Sequence, residues 1–240
     1  MHLTQEGDTH YNADFGAVAY DNFGAFAAAA NAGSYDAVIA IGDLAHEEAR
    51  VSDAGDVLDT ITGSVYAAMG NHEILQPAGT YAQSKALSRT EYGMPGNYYA
   101  ANVGFCRVIV LDANYGESDE DVYTHTGRLP AAELAWLENE LDTHTQDAVV
   151  IFIHHPPRQY RADDTTENFD ADDLTALQAL LDAHDNVFVY SGHWHAAYTG
   201  AIGNTPYVVF SALVLGKYYE LRIQKLRDGS IVDSRTEKTI

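Results

Sequence analysis

The chain has 240 residues, of which 46% are hydrophobic and 20% are charged, a composition typical of a globular protein. Asp and Glu number 35 and Lys and Arg number 13, so the formal net charge is −22. This acidity argues against a protein that holds a nucleic-acid backbone or an anionic membrane through a broad cationic face. Because an acidic surface with few lysines keeps proteins dispersed in concentrated salt, the charge also favours a halophilic source, with an ordinary acidic protein as the alternative.

A chain of 240 residues is expected to form one domain, residues 1–240, with a core that needs no disulfide. Cys106 is the sole cysteine, and its place in an apolar run predicts a small buried side chain. The longest alanine-rich run, residues 25–30, is far shorter than the ~20 apolar residues of a membrane span, and the N-terminus lacks a signal-peptide pattern. We therefore expect a cytoplasmic protein that does not bind membranes, while its oligomeric state stays open.

Short, continuous apolar runs predict buried strands. A more polar opening strand at residues 2–7 would be either an edge strand or the start of a truncated chain. The clear runs follow at residues 37–41, 65–69, 105–111, 148–153 and 187–190. Two more strands are expected at residues 207–215 and 218–223. The pair Asp228-Gly229 predicts a hairpin turn before a last strand near Ile231.

Helical patterns lie between these strands. The alanine-rich segment 12–31 ends close to Gly33, which suits a helix C-terminus, and a proline begins the apolar periodicity of segment 130–141. The other helices are expected at residues 47–60 and 170–184, the latter with an acidic first turn. Alternating strands and helices, followed by a strand-rich end, predict a layered α/β domain with mixed sheets.

Residues of the types that bind metal ions follow five of the predicted strands. They are Asp8-Thr9-His10, Gly42-Asp43, Gly70-Asn71-His72-Glu73, His154-His155 and Gly192-His193-Trp194-His195. Because sites in open α/β sheets lie beyond the carboxyl ends of the strands, the five segments are expected to converge. Carboxylate, amide and imidazole donors suit Mn²⁺, Zn²⁺, Fe²⁺ or Mg²⁺. So many donors exceed the needs of one tetrahedral ion and suit two ions about 3.5–4 Å apart.

In this order, the five segments resemble the calcineurin-like metallophosphoesterase family, over residues 8 to about 211. The resemblance implies a four-layer α/β/β/α sandwich with two mixed sheets and the metal site at the carboxyl edge of the strands. It also implies an enzyme, a phosphodiesterase or phosphatase that acts on small phosphate esters, nucleotides among them. Two divalent ions (Mn, Zn, Fe or Ni, with Mn favoured) would be its cofactors, and a metal-activated hydroxide would attack phosphorus.

The resemblance implies a role for each matched position. The ligands would be Asp8, His10 and His195 for the first metal and Asn71, His154 and His193 for the second, with Asp43 bridging both. His154 is preferred to His155 because the family pattern is His-x-Pro and Pro156 fits it. His72 would contact the scissile phosphate and either protonate the leaving oxygen or stabilise charge; the alternative is a residue that only orients its neighbours.

Four residues are candidates for substrate binding, each with a structural alternative. They are His46, which could instead begin a helix, Arg158 and Arg161, which could pair with Asp163 or Asp164, and Trp194, which could simply pack. His46 also stands where the purple acid phosphatase branch of the family has tyrosine. Since that branch lacks the histidine present here as His10, divalent ions are favoured over an iron–tyrosinate centre.

Three other functions compete with this interpretation. The first is a diphosphatase of the ADP-ribose/CDP-alcohol type. It is supported by the order of three features along the chain, namely GNHE, the helix with Trp136-Leu137 and His-x-Pro, which is similar in such enzymes. A non-catalytic scaffold of the same fold would be expected to lack ligands or the GNH histidine, and both are present here. A nuclease conflicts with the net charge of −22. The physiological substrate, the preference for monoesters or diesters and the metal identity stay open.

Overall fold

The computed structural model describes residues 1–6, 16–46, 48–74, 80–114, 126–158 and 169–240. Within these ranges, two mixed β-sheets pack face to face, and helices cover the outer face of each sheet. This is the four-layer α/β/β/α sandwich that the sequence predicts.

Sheet one contains five strands in the order β11-β10-β1-β2-β3. Numbered along the chain, they are β1 (His2–Glu6), β2 (Ala37–Ile41), β3 (Val65–Ala68), β10 (Lys217–Lys225) and β11 (Ile231–Thr239). β1 is parallel to β2 and antiparallel to β10, so the expectation of an edge strand is wrong. Its backbone groups are hydrogen-bonded to a strand on each side, and Leu3 is fully buried between the sheets. Backbone pairing and one buried side chain therefore hold β1 in the middle of the sheet despite its polar sequence.

Sheet two contains six strands in the order β4-β5-β6-β7-β9-β8. They are β4 (Tyr99–Val103), β5 (Cys106–Leu111), β6 (Ala148–Ile153), β7 (Val187–Ser191), β8 (Tyr198–Ile202) and β9 (Thr205–Val209). The two edge strands, β4 and β8, are antiparallel to their neighbours. They were not predicted, because both are largely exposed or half-buried and form no continuous apolar run. The strand expected at residues 207–215 ends at Val209, and a 3₁₀ turn at Leu213–Leu215 replaces its second half.

Five helices complete the layers: α1 (Gly16–Ala32), α2 (Val51–Asp59), α3 (Tyr81–Glu91), α4 (Ala131–Thr143) and α5 (Ala171–Asp182). Residues 12–15 of the first predicted helix lie outside the described residues. α3 was not predicted, because its sequence is polar; a capping box between Thr80 and Gln83 begins it. Over the described ranges, none of the helices combines the length and apolarity needed to cross a bilayer.

Alternation along the strands explains the layers. In β2, Ile39 and Ile41 face sheet two, whereas Val38 packs on the other side against Phe23 and Phe26 of α1. In sheet two, neighbouring residues of β5 and β6 alternate in the same way between the shared core and helices α4 and α5. Fully burying one such side chain contributes about 1.5–3 kcal/mol, so register is strongly specified in both sheets. The carboxyl ends of the parallel strands consequently meet at one edge.

Candidate metal centre

The turn after β2 brings Asp43 into the interior with its side chain 1% exposed. Gly42 (φ 76°) and Asp43 (φ 52°) both adopt left-handed backbone, which Asp tolerates better than most residues. A Cβ atom on Gly42 would collide with the backbone of Gly70 and the ring of His154. Glycine is therefore required where three strand ends come together.

The turn after β3 interlocks with the turn after β2. Gly70 packs directly on the Asp43 carboxylate, where a Cβ atom would clash. The backbone N–H of His72 donates to Asp43 Oδ1 at 2.9 Å. Asn71, between them, is 1% exposed, and its Nδ2 has no hydrogen-bond partner among the described residues. A buried amide whose oxygen points to the centre and whose nitrogen lacks a partner suits an oxygen ligand better than a structural hydrogen bond.

His154, after β6, is the meeting point of the two sheets. Its Nδ1 lies 2.7 Å from the carbonyl oxygen of Ile41, so this nitrogen carries the proton and Nε2 presents a lone pair. Nε2 lies 3.1 Å from Asp43 Oδ2, 3.2 Å from Asn71 Oδ1 and 3.2 Å from His193 Nδ1. Because Nε2 carries no proton, its lone pair and the lone pairs of these oxygen and nitrogen atoms repel one another unless a cation lies between them. These donors therefore fit a divalent metal ion.

His193 follows β7 in a left-handed conformation (φ 70°) and completes this group. The ligand atoms of Asp43, His154 and His193 all lie within 4.8 Å of one another, and the first two side chains are fully buried. The buried carboxylate and imidazoles are held by backbone turns rather than by flexible loops, which pre-forms the site. Left-handed backbone at non-glycine residues of two separate strand ends is a further mark of a constrained functional site.

His72 lies beside the metal-ligand group rather than within it. Its Nε2 is 4.0 Å from Asp43 Oδ2, and its ring stacks on that of His46 with centroids 4.1 Å apart. Burial lowers the pKa of His72, while the neighbouring Asp43 acts in the opposite direction. A largely buried imidazole that stacks on a second ring and points at the edge of the ligand group can act on a molecule bound there.

Glu73 is a buried residue to which sequence reasoning gave no role. Its carboxylate accepts four backbone N–H bonds, from Asp43 and Gly70 on Oε2 and from Leu44 and Ala45 on Oε1, at 2.6–3.0 Å. Burial and the nearby Asp43 raise the pKa of Glu73, whereas the N–H bonds favour its ionised form. One side chain thus ties together the turns after β2 and β3. Its only signal in the sequence is the GNHE run, which ends on a carboxylate that the ligand pattern leaves unused.

The remaining candidates are only partly placed. Asp8, His10 and Arg161 lie outside the described residues. His195 is exposed, has left-handed backbone (φ 52°) and lies within electrostatic range of Asp43 and His154.

The two described candidates for substrate binding on sheet two follow β6 and β7, two interior strands of that sheet. Trp194 is half-buried and packs against the outer core of the sheet, which favours its packing alternative. The Arg158 guanidinium stacks on Tyr198, 4.1 Å from the ring centroid, and Tyr198 in turn contacts Trp194 edge to face. Arg158 therefore has a defined orientation directly after the His154 segment.

Comparison with known proteins decides the family. A model of calcineurin-like phosphoesterases matches residues 1–197. The chain belongs to this family. The family match, together with relatives named as a phosphodiesterase and as a dimetal phosphatase, supports hydrolase activity in general.

A curated relative and several solved structures agree with this membership. The chain is 26% identical over 183 residues to a cAMP/cGMP dual specificity phosphodiesterase of Mycobacterium tuberculosis; the match covers 74% of this chain and 54% of the relative, so the chain matches about half the length of that protein. A dimetal phosphatase from Danio rerio has the same fold, with a TM-score of 0.67, 17% identity and coverage of 92% and 95% of the two chains. A protein from Thermus thermophilus is similar at a TM-score of 0.61, 14% identity and 97% coverage of each chain.

Proposed function

We propose that this protein is a binuclear-metal-dependent hydrolase of small phosphate esters. The observation that carries the proposal is the convergence of Asp43, Asn71, His154 and His193 from two sheets on one buried point, with lone pairs facing one another. Such an arrangement is costly without a cation. A carboxylate, an amide oxygen and imidazoles, without thiolate, suit Mn²⁺, Zn²⁺, Fe²⁺ or Ni²⁺, and we favour Mn²⁺.

Each of the two metals would have its own set of ligands, and all of them except Asp8 and His10 belong to the described residues. Asn71, His154 and His193 would hold the second metal, and Asp43 would bridge both. Asp8, His10 and His195 would hold the first. Held by these residues, two divalent ions would supply Lewis acidity toward the phosphoryl oxygens and would lower the pKa of an attacking water.

The chain's own residues would orient the ester and manage the proton. His72 stacks on His46 and directs Nδ1 at the carbonyl oxygen of His46, 3.4 Å away, so Nε2 would face the leaving oxygen. In its protonated form it would deliver the Nε2 proton to that oxygen or stabilise the charge that develops there. Asp43 is held by the N–H of His72 on one oxygen, which leaves Oδ2 to face His154 and the site. Asp43 and His72 are therefore pre-organised at the site by contacts within the chain.

We propose a phosphodiester as the preferred substrate class. The support is the match to a protein named as a cAMP/cGMP phosphodiesterase, together with the defined orientation of Arg158 against Tyr198. Guanidinium groups bind phosphate oxygens in a planar, two-pronged fashion, so Arg158, stacked on Tyr198 directly after the His154 segment, is the candidate to contact the ester. We further propose that residues 1–240 act as one catalytic domain in the cytoplasm of a halophile, without nucleic-acid or membrane partners.

The experiment begins with protein stripped of metal by a chelator. It should be inactive on bis-p-nitrophenyl phosphate and regain activity with Mn²⁺, and Zn²⁺ and Ni²⁺ are tested in parallel. His154→Ala should prevent recovery, because it removes the nitrogen on which the other ligands converge. His184 is a partly exposed histidine 3.6 Å from Asp142 at the opposite end of the strands from the ligands; His184→Ala is the matched control and should recover like wild type. Absence of recovery with every divalent ion would overturn the proposal.

A further inference from the structure

A buried polar cluster lies next to the metal centre but contains none of the proposed ligands. Lys85 of α3, Asp112 and Asn114 after β5, and Glu133 of α4 are each 6% exposed or less. The Lys85 ammonium donates to Asp112 Oδ2 at 2.7 Å and to the carbonyl oxygen of Asn114. Asp112 Oδ1 accepts from both the backbone N–H and the Nδ2 of Asn114 at 3.0 Å. Asn114 is therefore held at its backbone carbonyl, its backbone nitrogen and its side chain.

The second hydrogen on Asn114 Nδ2 points out of this cluster and into sheet one. It donates to the carbonyl oxygen of Met69 at 3.0 Å. Because both partners of Nδ2 are acceptors, the orientation of the amide is determined. Met69 directly precedes Gly70-Asn71-His72, so this bond joins sheet two to the last backbone group before the turn that carries a proposed ligand and the proposed catalytic histidine.

The position of β3 explains why such a bond is needed. β3 is an edge strand of sheet one, so its outer backbone groups have no neighbouring strand. Ala67 and Met69 are two residues apart and direct these groups to the same side. Tyr99 Oη of β4 both accepts from Ala67 N at 2.9 Å and donates to Ala67 O at 2.8 Å. Side chains from sheet two therefore replace the missing strand, and Asn114 provides the contact nearest the site.

The charges that hold Asn114 are difficult to explain by stability alone. Burying an ion pair removes both groups from water, and replacing such a pair with apolar residues is often neutral or stabilising. The chain has four lysines, and the three others lie on β10 and β11 with side chains about two-fifths exposed. Lys85 alone is buried, and its two bonds described here both hold the segment that carries Asn114.

We propose that Asn114, held by Lys85 and Asp112, is a positioning residue that sets the carboxyl end of β3 against sheet two. It would thereby set Asn71 and His72 at the correct distance from His154 and His193. The bond from His154 Nδ1 to the carbonyl of Ile41 does the same for the neighbouring strand β2. This inference rests on the proposed function, because it concerns the geometry of the same metal centre.

The test compares Asn114→Leu with Tyr99→Phe. Each variant removes side-chain bonds to the outer edge of β3, but Tyr99 contacts a residue two positions farther from the turn. Stepwise Mn²⁺ binding is measured by titration calorimetry, the coupling between two Mn²⁺ ions by electron paramagnetic resonance, and folding by thermal unfolding. We expect Asn114→Leu to weaken the binding of Mn²⁺ at the site of Asn71, His154 and His193 about tenfold. The paramagnetic signal that arises from coupling between the two ions should decrease with it. Tyr99→Phe should lower the unfolding temperature and leave Mn²⁺ affinity unchanged.

The outcomes separate this inference from the function it rests on. If wild-type protein fails to bind two Mn²⁺ ions, the proposed function fails. If wild type binds two and Asn114→Leu binds them equally well, Asn114 has no positioning role and the function stands. Equal losses of affinity in both variants would also overturn the inference, since they would show a general loosening of β3. Should Asn114→Leu fail to fold, Asn114→Ser takes its place, because its short hydroxyl leaves no overpacking and cannot reach both acceptors.

Discussion

At the scale of single residues, His72 is set apart from the ligands by its distance and by its neighbours. Its Nε2 is 4.0 Å from Asp43 Oδ2, and its ring rests on His46 instead of joining the group around His154. We predict that His72→Ala lowers kcat about 10²–10⁴-fold, the range of a positioned acid or base, while bound Mn²⁺ stays at the wild-type amount. The measurement is turnover of bis-p-nitrophenyl phosphate with metal analysis of the same samples.

His184→Ala provides the control for histidine loss, since His184 is partly exposed and lies beside Asp142 rather than beside the ligands. Unchanged turnover in His72→Ala would remove the proposed role. Loss of Mn²⁺ in that variant would instead make His72 a ligand or the support of one.

At the scale of secondary-structure elements, Glu73 joins the ends of β2 and β3. Each of its oxygens accepts two backbone N–H bonds. In Glu73→Gln, the amide nitrogen would replace an oxygen that receives two donors, so donor would face donor. We predict a loss of about 2–4 kcal/mol in the free energy of unfolding, because buried N–H groups lose their acceptor. Urea unfolding of metal-free protein measures this loss without interference from bound ions.

Glu133 of α4 offers the matched substitution, because it is also a buried glutamate but accepts its described backbone bond, from Asp112 N, on Oε1 alone. A glutamine carbonyl can keep that bond. Glu133→Gln should therefore unfold at the same or a higher urea concentration than wild type. A large loss in Glu133→Gln, equal to that in Glu73→Gln, would show that any buried glutamate is costly to change and would remove the special role of Glu73.

Glu133→Gln should also change how stability depends on pH. Burial, and then the charge of Asp112, raises the pKa of Glu133 well above its ordinary value of 4.5. The folded protein thus keeps a proton that the unfolded chain releases, so stability is lost as pH rises from about 4.5 toward the folded pKa. Glutamine has no proton to release, and the stability of the variant relative to wild type should increase between pH 5 and pH 8. A constant difference across this range would show that Glu133 does not titrate in it.

At the scale of the whole molecule, the sequence predicted the parts of the fold that depend on apolar runs. The strands that carry Asp43, His154 and His193 are buried on both faces, so continuous apolar residues mark them and the ligands follow directly. The strand before Asn71, β3, is buried in its second half only, but it also has an apolar run. Edge strands β4 and β8 and the polar helix α3 lack such runs, and partners distant in sequence specify them. Glu73 and Asn114 were not assigned for the same reason, since their roles depend on backbone groups of other strands that no local pattern shows.

The net charge of −22 is also a property of the whole molecule, and it makes its own prediction. Of the 35 acidic residues, Asp8 and Asp43 are proposed ligands, so most of the negative charge lies elsewhere and repels itself. The screening length falls from about 10 Å at 0.1 M salt to about 3 Å at 1 M, so KCl should relieve this repulsion in the folded state. We predict that the unfolding temperature rises from dilute buffer to molar KCl, by about 2–4 °C for each kcal/mol gained. Sucrose, which stabilises by exclusion without screening charge, is the control. A flat response to KCl, or an equal response to sucrose, would contradict adaptation of this surface to high salt.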